Sequence, residues 1–189
     1  MTWLRANRST SSWVSGSVVL ATLLSRTSAD IDLHHLLEAA RDEAILSDTA
    51  LLTKHGFAQT QRRESPDEVY VSFRRGQDLI AIEWVLLAEA NRFPLVDDAE
   101  FGMRSDLRDV VLTKLLMIGE GDDGKHFLDL VDLGEGGVQL GGLVEIASRI
   151  QSRLRPADFA HAVHVGIRSA GVKIARHRTL GQQRGVQAS

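Results

Sequence analysis

There is no cysteine among the 189 residues, so neither a disulfide framework nor a thiolate zinc site can exist. A reducing compartment suits such a chain, and the expected localisation is cytoplasmic. Long apolar runs are missing too. The apolar stretch 18–24 follows Arg5 and Arg8, but Ser15, Gly16 and Ser17 interrupt its approach and Arg26 ends it. A secretory signal needs an unbroken apolar core and a small-residue cleavage site, and a spanning helix needs about 20 apolar residues. Neither requirement is met, so no membrane partner is expected. No internal repeat is visible. What is present is ordinary for a globular chain, at 43% hydrophobic and 25% charged residues. That composition suits one domain, or one domain with a helical appendage.

Charge is unevenly distributed. The chain carries −3 overall, while residues 1–28 hold three arginines and no acid, and residues 149–189 hold eight Lys or Arg against Asp158 alone. The two ends are thus +3 and +7, which leaves −13 on residues 29–148. An acidic body can hold cations and a basic tail can hold polyanions. Arg149, Arg153, Arg155, Arg168, Lys173, Arg176 and Arg178 make the tail a candidate surface for RNA phosphates. Its one aromatic residue, Phe159, gives no sign of base stacking there.

Periodicity places the elements. Residues 1–12 read as polar and loose. A short strand at Trp13-Val14 is broken by Ser15-Gly16-Ser17, and a short helix over 18–24 follows. Asp30-Ile31-Asp32-Leu33 alternates as a strand does. Helical spacing of Leu36, Leu37, Ala40, Ala44 and Leu51 predicts a helix to about His55, with Gly56 as its C-terminal cap. Strands over 57–62, 69–74 and 79–87 form an antiparallel meander. After an acidic loop, Asp106 caps a helix to about Ile118, and helices follow over 125–133 and 140–154. A last helix begins after Pro156 and runs to about Arg176, with 181–189 frayed. The expectation is an α+β fold, divided into an α/β core over 1–104 and a C-terminal helical region over 105–189.

Residues i and i+2 of a strand point to one face, so Asp30 and Asp32 project side by side. Two carboxylates that close favour a cation between them. Mg²⁺ binds carboxylate and phosphate oxygens together, as nucleotidyl transfer requires. The turn Ser15-Gly16-Ser17, at a helix start, offers backbone N–H groups to a phosphate. Glu83 interrupts the apolar run Leu79-Ile80-Ala81-Ile82-Glu83-Trp84-Val85, where an unpaired charge is expensive, and it could serve as a general base. Asp78 is a weaker alternative. Lys114, between Val110-Val111-Leu112 and Leu115-Leu116-Met117, either snorkels to the surface or neutralises an anion. Asp129, flanked by Phe127, Leu128 and Leu130, calls for a cationic partner. His34-His35 cap or pack beside the strand, and His161 and His164 share a helix face without forming a convincing zinc site.

Residues 15–33 resemble the signature of the minimal nucleotidyltransferases, above all the AbiEii-type toxins. That signature runs Gly-Gly-Ser/Thr, a helix, an Arg, then Ser-x-Asp-h-Asp with h apolar. Gly16, Ser17, Arg26, Ser28, Asp30 and Asp32 match in register, with Ser15 in place of the first glycine. Downstream, Asp106-Leu107, Lys114-Leu115 and Lys125-His126-Phe127-Leu128-Asp129-Leu130 are similar to the family's later motif, with His126 where an Asp is usual. The resemblance implies that Asp30 and Asp32 bind Mg²⁺ and that Ser15, Gly16, Ser17, Arg26 and Ser28 bind the nucleotide. It further implies that Lys114 contacts the triphosphate with Asp129 orienting it, and that Glu83 supplies a third acid.

The resemblance includes the MenT group of toxin–antitoxin systems. It implies an enzyme that adds a nucleotide, with CTP or UTP favoured, to the 3′ end of tRNA and so blocks aminoacylation, and it implies a cognate antitoxin. Alternatives are a protein hydroxyl or a small molecule as acceptor, or a degenerate nucleotide-binding module. Phosphorylation of Ser28, two residues before Asp30, would repel the triphosphate.

Overall fold

In the computed structural model, residues 4–119 and 124–150 are described. The helix expected after Pro156, the frayed end, His161, His164 and the basic tail beyond Arg149 lie outside them.

The described chain is α+β. Its strands are β1 (Trp13–Ser15), β2 (Ile31–His35), β3 (Ala58–Glu64), β4 (Glu68–Arg75), β5 (Asp78–Leu86), β6 (Val96–Asp98) and β7 (Gly102–Arg104). Its helices are α1 (Glu38–Lys54), α2 (Leu107–Gly119), α3 (Gly124–Glu135) and α4 (Gly141–Ile150). The strands form one mixed sheet of order β3-β4-β5-β2-β1-β7-β6. The expected meander is present, since β3 pairs antiparallel with β4 and β4 with β5. Beyond it β5 pairs parallel with β2, β2 antiparallel with β1, and β1 parallel with β7. The segment read as an acidic loop carries the antiparallel pair β6–β7 at the sheet edge.

The described residues fall into two compact units that divide between Val110 and Val111, within α2, with Leu23–Ser25 belonging to the second. The expected boundary at 104/105 lies just ahead of that helix. In the first unit α1 packs on β2 and β5. Leu33, Val71, Phe73, Ile82 and Trp84 are fully buried, and α1 contributes Ala44, Ile45 and Leu52. Each larger side chain of this kind contributes about 1.5–3 kcal/mol by leaving water. Gly56 ends α1 as its sequence suggests. At φ +81° it lets the Phe57 amide donate to the Leu52 carbonyl at 3.0 Å and its own amide to Thr53 at 2.9 Å. Asp106 caps α2 by accepting the Arg108 amide at 2.8 Å.

The opening residues are not loose. Leu4–Asn7 form a 3₁₀ turn with Leu4 buried. Arg8 forms a buried ion pair with Asp48 of α1. The same carboxylate accepts from Asn7 Nδ2 at 2.8 Å and from Trp84 Nε1 at 3.0 Å, while Arg8 Nη1 donates to Ser12 Oγ at 3.0 Å. Polar pairing orders this segment, and apolar periodicity does not report polar pairing. In the second unit Leu115, Ile118, Phe127, Leu130, Leu133, Leu143 and Ala147 are buried from α2, α3 and α4.

Candidate metal and phosphate site

Strand pairing brings the predicted acids together. Asp32 on β2 lies opposite Glu83 on the parallel neighbour β5, and paired residues share a face. Asp30 sits one residue ahead of β2, and not on the strand as expected. The Ser28 hydroxyl donates to its backbone carbonyl at 3.0 Å and reaches its carboxylate at 3.5 Å. Asp30, Asp32 and Glu83, all half-buried, each offer a carboxylate oxygen within 4.8 Å of the others. At that separation, two such charges repel by roughly 3 kcal/mol at an effective dielectric of about 20, before further screening by water. A divalent cation removes that cost. Three carboxylates are hard oxygen donors, suited to Mg²⁺, Mn²⁺ or Ca²⁺ more than to thiolate-seeking ions.

Gly16 fits against this cluster. Its φ of +70° and ψ of −164° fall in a region open essentially to glycine alone. A Cβ there would meet Asp32 Oδ2 at 1.5 Å and Asp32 Cγ at 2.5 Å. The backbone of the turn therefore lies directly against the carboxylate. Next to it, Arg26 Nη2 donates to Ser17 Oγ at 2.8 Å, so two residues predicted to bind phosphate are adjacent.

Other predicted positions differ. Ser15 is buried, and its oxygen accepts from Ser105 Oγ at 3.0 Å. Ser105 in turn accepts from Trp13 Nε1 at 3.2 Å and Asn91 Nδ2 at 2.9 Å. The Ser15 hydroxyl thus belongs to an internal polar network. The helix expected over 18–24 is a four-residue 3₁₀ turn, Ser17–Leu20, which develops little of the dipole of a full helix. Ser28 faces Asp30 and positions it.

His35 is fully buried with Nε2 at 2.9 Å from Ser12 Oγ, and His34 meets the Trp13 ring edge-on at a centroid distance of 6.3 Å. Burial pushes both imidazoles down to about 4, with the Arg8 charge as the next cause for His35 and His35 itself for His34. Neutral packing residues are what the structure makes of them.

Within the second unit, Lys114 Nζ donates to Asp129 Oδ2 at 2.5 Å, with both side chains buried. His126 lies on α3, three residues before Asp129.

One feature of the first unit was not readable from sequence. The row of paired residues Ser15, Asp32 and Glu83 continues to Tyr70 on β4 and Arg63 on β3. The Arg63 guanidinium carbon sits 4.1 Å from the Tyr70 ring centroid. Strand register alone makes the row, and no local motif encodes it.

No protein-family model matches the chain, and no curated protein matches it. A solved structure, JHP933 from Helicobacter pylori, is similar over 97% of this chain and 93% of its own, at 9% identity and a TM-score of 0.43. Among the described residues, no helix is long and apolar enough to cross a membrane.

Proposed function

We propose that the chain is a Mg²⁺-dependent nucleotidyltransferase that moves a nucleotide, a pyrimidine favoured, from a nucleoside triphosphate to the 3′ end of tRNA. The observation that carries the reading is the convergence of Asp30, Asp32 and Glu83, with Gly16 set against Asp32 in a conformation that other residues rarely adopt. Three acids that gain nothing from each other's company suit a cation, and a backbone turn in contact with one of them suits the phosphates such a cation carries.

Asp30, Asp32 and Glu83 would hold the ion. Bound there, it would neutralise charge on the triphosphate and hold the α-phosphorus for attack. Ser17 and Arg26, hydrogen-bonded to each other, would bind phosphate oxygens, and Ser28 fixes Asp30. The acceptor oxygen bonds to the α-phosphorus, the bond to the bridging oxygen breaks, and pyrophosphate leaves with that electron pair. Glu83 would hold the ion or, left unligated, take the hydroxyl proton as general base. The resemblance to AbiEii-type toxins supports a toxin role in the cytoplasm and a cognate antitoxin as partner.

The test is incubation of the full chain with total tRNA, Mg²⁺ and each nucleoside triphosphate labelled at the α-phosphorus, beside Asp30→Ala. Label on tRNA from one nucleotide, lost in the variant, is the expected result. Label on protein or a small molecule would replace the acceptor. Absence of any Mg²⁺-dependent nucleotide binding would sink the enzymatic reading.

A further inference from the structure

The carboxylate face of the sheet does not stop at Glu83. Glu83 pairs with Tyr70, and Tyr70 with Arg63, so all three side chains share the face that carries Asp32. Neighbouring strands lie about 4.8 Å apart, so the Tyr70 ring stands one strand spacing from Glu83 and Arg63 two. Arg63 is exposed, Tyr70 half-buried, and the guanidinium rests over the ring at 4.1 Å. Alternation along β4 puts Ser72 and Arg74 on this face as well.

Charge changes sign along the row, from Asp32 and Glu83 to Arg63. Arg62, Arg75, Arg104 and Arg108 each hold a carboxylate partner. Arg63 and Arg74 have no ion-pair partner among the described residues, and Arg74 is exposed. Two arginines without an ion-pair partner, on the same sheet face as Asp32 and Glu83, are open to anions from outside the chain.

From this juxtaposition we infer that Tyr70 and Arg63 form the platform for the terminal base of the acceptor, and that the acceptor is a single-stranded nucleic-acid 3′ end. The inference rests on the proposed nucleotidyl transfer and names its acceptor subsite. A base stacks on an aromatic ring or a guanidinium plane whatever its identity, and Arg63 with Arg74 can meet the phosphates that precede it. With a 3′-hydroxyl at the carboxylates, the base of the same nucleotide lies one sugar away, toward β4. A peptide acceptor would gain little from a stacked Tyr–Arg pair.

Fluorescence anisotropy tests this with a labelled RNA stem–loop ending in a single-stranded 3′ tail, the full chain and Mg²⁺, without triphosphate. The wild type should bind the tailed RNA and lose affinity for its blunt-ended form. Tyr70→Ala and Arg63→Gln should each weaken tailed-RNA binding about tenfold, while Tyr70→Phe binds as the wild type does. Binding of a fluorescent nucleoside triphosphate should be unchanged in all of them. Arg63 is exposed, so Arg63→Gln carries the test if Tyr70→Ala fails to fold.

A tail of DNA separates sources: binding of RNA alone or of both supports the platform and says whether the 2′-hydroxyl is read. A wild type that binds no tailed RNA overturns the inference, as does indifference of both variants. Loss of triphosphate binding in the wild type would instead bring down the transferase reading, whatever the RNA does.

Discussion

Gly16→Ala is the most economical probe of the site, because one methyl group tests both the backbone conformation and the position of Asp32. At φ +70° and ψ −164°, an alanine costs about 1–3 kcal/mol in backbone strain alone. The methyl carbon would also fall 1.5 Å from Asp32 Oδ2, so the carboxylate must leave its position in the cluster with Asp30 and Glu83. For a chain of this length each kcal/mol lowers the melting temperature by about 2–4 °C, so the variant should melt about 2–12 °C below wild type from strain alone. The assay is thermal unfolding with and without Mg²⁺, since a ligand held by the native state alone raises the melting temperature. Wild type should show the Mg²⁺-dependent rise, and Gly16→Ala should need at least about tenfold more metal for it, the scale seen when ligand positioning is lost. Adding Asp32→Ala removes the carboxylate and leaves only the Cβ contact at 3.0 Å. The double variant should therefore recover the steric loss but not the backbone strain. A Gly16→Ala protein that melts with the wild type and keeps its metal response would refute the geometry at the centre of the site.

Three further perturbations follow from the buried charges. Asp48→Ala strands Arg8 and removes the acceptor of Asn7 and Trp84, and should cost about 3–5 kcal/mol in urea unfolding; a loss under about 1 kcal/mol would mean the network is dispensable. His35 stays neutral in the folded state down to about pH 4 but takes a proton near 6.5 once unfolded, so unfolding binds a proton. Stability present above pH 6.5 is therefore lost as pH falls, by about 2 kcal/mol between 6.5 and 5 for each of His35 and the equally depressed His34, so His35→Gln should about halve the slope. A wild-type urea midpoint unchanged over the same interval would contradict the depressed pKa. Lys114→Met alone should destabilise by about 3–5 kcal/mol by leaving Asp129 charged and buried, whereas Lys114→Met with Asp129→Leu should lie near wild type. Equal losses in the single and double variants would show that the pair is not coupled.

What could be read from the sequence was what local rules encode. The α1 period and its Gly56 cap are local, and so is the alternation that separates β3, β4 and β5. The strands β6 and β7 are three residues each, too short to alternate, and they exist through pairing with each other and of Arg104 with Val14, ninety residues away. Residues 4–12 looked loose because Arg8, Ser12 and Asn7 are polar. Their order comes from Asp48, some forty positions away, and hydropathy does not see such a partner. The partner of the Ser15 hydroxyl was hidden for the same reason, since Ser105 lies ninety residues on.

Asp30, Asp32 and Glu83 were legible for the opposite reason: each breaks a rule of economy, as like charges side by side or a charge inside an apolar strand. The fold adds to that cost by closing Asp32 and Glu83 across paired strands and setting a glycine in a conformation other residues refuse. Tyr70 breaks no rule, being an ordinary strand aromatic, and only register sets it beside the acids. A residue that costs stability can announce itself in a sequence. One that acts through its neighbours has to wait for the pairing that supplies them.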